Sequence, residues 1–146
     1  MLQGIDKILT GDILKALCDM GHGDELIIAD ANFPAETYAK RLIRVSGVDG
    51  AQLLGAFISL FPLDNYVDNP TAVMDLTDGD KKKKMPIPAV WAVYEQILKE
   101  SDPSFVELGK IERMAFYERT KNAFVVIQTS EERQYGNLLL VKGVVK

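Results

Sequence analysis

The single histidine of the chain, His22, lies between Gly21 and Gly23. Histidine is the one side chain whose unperturbed charge changes between about pH 5 and pH 8, so it suits general acid–base catalysis. A short apolar segment, residues 26–29, follows and stops at Asp30. This pattern predicts an imidazole in a glycine turn and a carboxylate at the far end of a buried strand. The alternative is a surface or core histidine beside a glycine that ends a helix.

Two segments near the C-terminus combine side chains that suit polyhydroxylated ligands. Residues 113–119 hold two aromatic residues and two arginines, and residues 135–137 (YGN) precede a final apolar segment. Tyrosine offers an apolar ring face and a hydroxyl, asparagine donates and accepts hydrogen bonds, and arginine supplies several donors. Taken singly, each segment is explained as well by core aromatics and an ordinary turn.

Several other chemistries are excluded by the sequence. The glycines around His22 begin like a dinucleotide-binding fingerprint, but Leu26 stands where the third glycine belongs, and they precede a strand instead of following one. No phosphate-binding loop and no nucleophile elbow is present. Cys18 is the only cysteine, so no intramolecular disulfide forms; its neighbours predict an inert thiol on a buried helix face. One histidine and one cysteine are too few for a zinc site, so we expect no metal.

The bulk composition indicates one globular domain over residues 1–146. The chain is 47% hydrophobic and 26% charged, with a net charge of −4 that argues against nucleic acid or an anionic membrane as a partner. No apolar run reaches the roughly 18 to 20 residues that span a bilayer, and no signal peptide is evident. The lone cysteine favours a reducing, cytoplasmic compartment. The four lysines at 81–84 predict a solvated loop, because Asp78 and Asp80 lie beside them; nuclear localisation or polyanion binding is the alternative.

Apolar spacing predicts alternating helices and strands. Helices are expected after Thr10, after the Asp49/Gln52 capping box, near Pro88 and over residues 114–122. Strands are expected at 26–29, 40–45, 71–76, 105–108, 123–129 and 137–141, and residues 31–40 are expected to form a loop. The predicted fold is therefore α/β, with a mixed or mostly parallel sheet covered by helices on both faces.

Several segments together resemble a known family. Residues 20–25 (MGHGDE), 30–34 (DANFP), 116–119 (FYER), 135–137 (YGN) and 142–144 (KGV) recur in this order in L-fucose mutarotases. The chain is similar to these proteins, within the wider family that includes D-ribose pyranase. The resemblance spans nearly the whole chain and is weakest over residues 62–110.

The resemblance implies a function. Such proteins interconvert the anomers of a free sugar, here L-fucose and by extension D-ribose, without a cofactor, and assemble as large rings, typically homodecamers, with sites near subunit contacts. The catalytic residue falls on His22. The residues implied to bind the sugar are Asp30, Arg113, Tyr117, Tyr135 and Asn137. Gly23 and Gly136 follow the fucose branch, because the ribose branch has Thr and Ala there.

Two other classes of function remain open at this stage. One is a non-catalytic module that binds a monosaccharide or has a regulatory role, and the other is a structural domain without a ligand. The presence of His22 favours catalysis, because a protein that only binds sugar needs hydrogen-bonding side chains but no group that titrates near neutrality.

Overall fold

The computed structural model describes residues 1–146 and contains six strands and six α-helices. The strands are β1 (Glu25–Ala29), β2 (Leu42–Arg44), β3 (Thr71–Met74), β4 (Gly109–Ile111), β5 (Val125–Gln128) and β6 (Leu138–Val141). The helices are α1 (Gly11–Asp19), α2 (Ala35–Tyr38), α3 (Gly50–Phe57), α4 (Asp78–Lys82), α5 (Ala89–Ser101) and α6 (Arg113–Asn122), and a 3-10 turn (Ile58–Leu60) extends α3. No helix combines the length and apolar character needed to cross a bilayer.

The strands form one mixed sheet in the order β2-β5-β1-β6-β3-β4. Neighbouring strands are parallel within β2-β5-β1 and within β3-β4. The last strand, β6, joins these two blocks and runs antiparallel to both β1 and β3. The start of β6 therefore lies where β1 and β3 end, which decides where the site forms.

Helices cover both faces of the sheet, as predicted. Leu26 and Ile28 of β1 belong to the larger core cluster, with apolar residues of α1, α3 and α5. Ile27 and Ala29 belong to the smaller cluster on the other face, with residues of α2 and α6. All four side chains are fully buried, because a strand covered on both faces has no solvent side.

Short polar contacts fix where the helices begin. The Thr10 hydroxyl accepts a hydrogen bond from the Ile13 amide at 3.3 Å and caps α1. Asp49 and Gln52 form the predicted reciprocal capping box at the start of α3. Glu112 accepts from the Ala115 amide at 2.9 Å and caps α6. These caps satisfy amides that have no partner inside the helix.

Two predicted loops contain short helices. In the segment 31–40, Pro34 occupies the N-cap of α2, where a proline is tolerated because no helical hydrogen bond is required of it. The lysine segment forms α4 and a following turn, since the Thr77 hydroxyl accepts from the Asp80 amide and caps the helix. The lysines themselves are exposed, as expected.

Two further predictions are wrong. The strand expected at 105–108 forms instead at β4, because it is Gly109 that pairs with Ala72 of β3. Cys18 is exposed, whereas Leu17 is buried, because successive residues of a helix point about 100° apart and α1 buries a narrow face.

Candidate functional site

One edge of the sheet collects the ends of several strands. Because β6 is antiparallel to β1 and β3, its first residue lies beside their last residues, and β4 ends at the same edge. We name this the carboxyl edge. Asp30 follows β1, Arg113 follows β4, and Asn137 precedes β6. Ligands of open α/β sheets commonly bind outside the carboxyl ends of the strands.

A cavity of about 380 Å³ opens at the carboxyl edge, within the usual size range for small-molecule sites. Its lining contains all five of the residues implied to bind sugar, but not His22. The lining consists of Asp30, Asn32, Phe33, Pro34, Met74, Thr77, Asp80, Arg113, Tyr117, Gln134, Tyr135 and Asn137.

Asp30 and Asn137 form the floor of this pocket. The Asp30 amide donates to Asn137 Oδ1 at 2.8 Å, and a hydrogen bond from the Asn137 side chain is among those that lower the pKa of Asp30. The Asn32 amide donates to Asp30 Oδ1 at 3.0 Å. Burial raises the pKa of Asp30, which is 7% exposed, and the surrounding hydrogen bonds only partly offset this rise. A carboxyl group in this state is suited to proton transfer as well as to hydrogen bonding.

Helix α6 presents Arg113 and Tyr117 on one face, because residues at i and i+4 lie one above the other. The Tyr117 ring stacks on Tyr38 with centroids 4.8 Å apart, and Phe33 meets it edge-on at 5.6 Å. Burial raises the pKa of Tyr117, while the nearby Arg113 guanidinium opposes the rise. The phenol is therefore held in place and stays protonated, so it can donate or accept.

Tyr135 is held by both its backbone and its hydroxyl. It has a φ of 61°, a left-handed conformation that is uncommon outside glycine, and the Trp91 indole donates to its carbonyl at 2.9 Å. The Tyr135 hydroxyl accepts from the Thr77 amide at 3.1 Å and donates to the Asp80 carboxylate. That hydrogen bond is the main cause that holds the pKa of Asp80 below its usual range.

His22 lies at the opposite edge of the sheet. It stands before β1, whereas Asp30 follows that strand, and the length of β1 separates them by roughly 15–20 Å at the usual rise per residue. His22 Nε2 lies 3.1 Å from Asp64 Oδ1; the His22 side chain is 45% exposed and Asp64 is 4% exposed. The Tyr66 amide, and after it the His22 hydrogen bond, lowers the pKa of Asp64. One chain therefore carries the pocket and the imidazole as two separate groups.

Sequence reasoning missed several residues of both groups. Asp64 falls in a turn-rich loop, and no local pattern indicated that its carboxylate faces His22. Asp80 falls beside the lysine segment, where solvation explained it sufficiently. Met74 ends a buried strand and lines the pocket only because β3 stops at the carboxyl edge.

Comparison with known proteins places the chain in a family. It matches the RbsD / FucU transport protein family over residues 3–145. The chain belongs to this family. It is 48% identical to the fucose mutarotase of Mus musculus over 145 residues, which cover 97% of this chain and 94% of that protein.

Two solved structures have nearly the same fold as this chain. FucU from Bifidobacterium longum is 46% identical, with a TM-score of 0.92 over 99% of this chain and 100% of that one. The fucose mutarotase of Streptococcus pneumoniae in complex with L-fucose is 39% identical, with a TM-score of 0.92 over the same shares.

The two glycines that the resemblance implied to mark the fucose branch, Gly23 and Gly136, both lie where a larger residue fits poorly. Gly23 has a φ of 83°, a conformation that a β-branched residue adopts only with strain. A Cβ added at Gly136 would lie 2.7 Å from Glu131 Cγ and 3.1 Å from the Arg133 carbonyl oxygen. Substitution at either position therefore requires the surrounding backbone or side chains to move.

Proposed function

We propose that this protein is an isomerase that interconverts the α and β anomers of free L-fucose without a cofactor. The observation that carries this proposal is the convergence of Asp30, Arg113, Tyr117, Tyr135 and Asn137 in one pocket. All five have side chains that hydrogen-bond hydroxyl groups. The similar proteins from Mus musculus and Streptococcus pneumoniae are fucose mutarotases, and the latter was solved with L-fucose.

The reaction consists of proton transfers. Opening a pyranose ring takes a proton from the anomeric hydroxyl and delivers one to the ring oxygen. The aldehyde then rotates about the C1–C2 bond and closes on its other face. Asp30, whose pKa burial raises, and the phenols of Tyr117 and Tyr135 bind and orient the hydroxyls. An imidazole that donates in one direction and accepts in the other completes the set.

Asp64 decides which nitrogen of His22 exchanges protons with the sugar. The lowered pKa of Asp64 keeps it ionised, and an ionised carboxylate only accepts hydrogen bonds. The hydrogen of neutral His22 therefore resides on Nε2, which donates to Asp64. Nδ1 is left as the nitrogen that accepts a proton, and the Asp64 carboxylate holds the ring in that tautomer and orientation.

We further propose that His22 acts in the pocket of a neighbouring copy of the chain. The two groups lie at opposite edges of one sheet, so a site that uses both needs two chains. Exposed apolar side chains lie beside each group: Tyr66, 71% exposed, is next to Asp64, and Met114, 51% exposed, is next to Arg113. Contact between copies would bury them. The family resemblance favours a cytoplasmic ring of ten.

Saturation-transfer NMR of an L-fucose solution tests the activity, because a mutarotase speeds exchange between the anomeric signals. His22→Gln should lower the exchange rate by about a hundredfold or more, the usual contribution of a positioned acid–base group. Asp64→Asn should lower it by roughly tenfold or more, since the amide no longer fixes the tautomer. Circular dichroism and light scattering should show unchanged fold and assembly. Wild-type rates in His22→Gln would contradict the assignment and make Tyr117 or Tyr135 the next candidate.

The same experiment separates catalysis from binding alone. A protein that binds L-fucose in a calorimetric titration but leaves anomer exchange at the uncatalysed rate is a binding module. The position of His22 beside a buried carboxylate favours catalysis, because the His22–Asp64 pair lies outside the pocket and is not needed to bind a sugar there.

A further inference from the structure

One wall of the pocket is built by α4 and the residues next to it. The Thr77 hydroxyl caps this helix by accepting from the Asp80 amide at 3.2 Å. Lys81 Nζ donates to Asp75 Oδ2 at 2.7 Å, which ties α4 to the segment that follows β3. The Asp75 hydrogen bond raises the pKa of Lys81, so the ion pair persists at neutral pH. The wall is thus anchored on the sheet, and Thr77 and Asp80 line the pocket.

The hydrogen-bonding capacity of the Tyr135 hydroxyl is largely used within the chain. A phenol has one hydrogen, and that hydrogen is donated to the Asp80 carboxylate. One lone pair accepts from the Thr77 amide at 3.1 Å. Toward a ligand, Tyr135 can therefore only accept a hydrogen bond. A donor that is committed to a carboxylate also makes the phenol oxygen a stronger acceptor.

The backbone around Tyr135 fixes the position of its side chain. A non-glycine residue at φ 61° costs roughly 1 kcal/mol or more, so the surrounding contacts must enforce it. The Trp91 indole bonds the Tyr135 carbonyl at 2.9 Å, and the Tyr94 hydroxyl bonds the Gly136 carbonyl at 2.7 Å. Both contacts come from α5. The phenol therefore reaches Asp80 from a fixed position.

We propose that Asp80 is a specificity-determining residue of the pocket. Its carboxylate orients the Tyr135 hydroxyl as an acceptor, and the two oxygens together select monosaccharides that present free hydroxyl donors to α4. A sugar that lacks the hydroxyl facing α4, or carries it as an O-methyl ether, binds less well, because it leaves the Tyr135 and Asp80 oxygens without a hydrogen-bond donor. This inference rests on the proposed function only in that the pocket holds a monosaccharide.

Calorimetric titration with L-fucose tests the pair. Asp80→Ala and Tyr135→Phe should each weaken affinity by about 10- to 100-fold, the range expected for a hydrogen bond to a charged group. The affinity of the double variant for L-fucose should be close to that of the single variant that binds less tightly, because the two residues act together. Asp80→Asn should retain more affinity than Asp80→Ala, since the amide oxygen still accepts the Tyr135 hydrogen. Asp78→Ala, an exposed carboxylate on the same helix, is the matched control and should bind normally.

A panel of monodeoxy and mono-O-methyl fucoses separates specificity from general damage to the pocket. Wild-type protein should bind the analogues altered at one particular position, the hydroxyl that faces α4, with an affinity about tenfold or more below that for L-fucose. Asp80→Ala should lose discrimination at that position and keep it elsewhere. Equal losses for all analogues, or additive effects of the Asp80 and Tyr135 substitutions, would overturn the proposal.

A readout without sugar keeps the outcome independent of the activity. Amide hydrogen exchange at Thr77 should be slower in the wild type and in Asp78→Ala than in Asp80→Ala, because only the last releases the Tyr135 hydroxyl from α4. Equal exchange in all three overturns the Asp80–Tyr135 contact. A wild type that passes this test but does not accelerate anomer exchange contradicts the proposed function alone.

Discussion

Mixing two inactive variants tests whether each active site uses two chains. His22→Gln removes the imidazole and keeps the pocket. Asp30→Asn alters the pocket and keeps the imidazole, while its amide oxygen still accepts from the Asn32 amide, so the turn should be preserved. Because β1 separates the two residues by roughly 15–20 Å, one chain does not bring them to the same sugar.

The expected recovery follows from this geometry. In an equal mixture, a site works only when its pocket chain carries Asp30 and the neighbouring chain carries His22. Each condition holds with a probability of one half, so about one quarter of wild-type activity should return from two variants that are nearly inactive alone. If one chain supplied both residues, no site in the mixture would be intact, and activity would stay at the level of the variants.

The assay dissociates the variants in mild denaturant, mixes them, reassembles them and measures anomer exchange by saturation transfer. Each variant treated alone is the first control. The second mixes wild type with the His22→Gln/Asp30→Asn double variant, which should give about one quarter of wild-type activity for two-chain sites and about one half for one-chain sites. The reasoning would be refuted if the mixture of the two single variants stayed inactive while the second control gave one half of wild-type activity. Light scattering that shows a monomer of 16.2 kDa at all concentrations would refute it as well.

Three other predictions concern the pocket and the glycines around it. Burial raises the pKa of Asp30. Sugar affinity that depends on the ionised carboxylate should therefore be complete above that pKa and should fall as the pH drops through it. Calorimetry with Asp30→Asn should show no such decline. Gly136→Ala should lower the free energy of unfolding by about 1–3 kcal/mol, because its Cβ meets Glu131 Cγ at 2.7 Å. Gly55→Ala, in α3, should raise the free energy of unfolding by about 0.5–1 kcal/mol, because a Cβ there meets nothing within 4 Å. Equal denaturation midpoints for these two variants would contradict the steric argument. Because Gly23 and Gly136 follow the fucose branch, L-fucose anomers should exchange faster than the pyranose and furanose forms of D-ribose, and equal or reversed NMR rates would show that the branch rule does not hold.

Much of the fold was predictable because its signals are local. The apolar run after Glu25 indicates a strand covered on both faces, and Asp49 with Gln52 marks the start of α3 by contacts within one turn. Apart from the exposure of Cys18, the predictions that were wrong concern short elements. The three-residue strand β4 depends on a partner, β3, that is distant in the sequence, and α4 depends on a single hydroxyl cap.

The sequence by itself determined the α/β class, the capping of α1 and α3, and most of the residues suited to proton transfer and sugar binding. Only the tertiary structure decided how these residues are grouped. Asp30 and Asn137 are 107 positions apart in the chain, yet they share a hydrogen bond because β6 runs antiparallel to β1. The strand that separates His22 from Asp30 was predicted from the sequence, but which end of that strand collects the other pocket residues was not. Strand direction is set by long-range pairing, which no local pattern of residues encodes, and it is strand direction that gathers those residues beside Asp30 and leaves His22 outside the pocket.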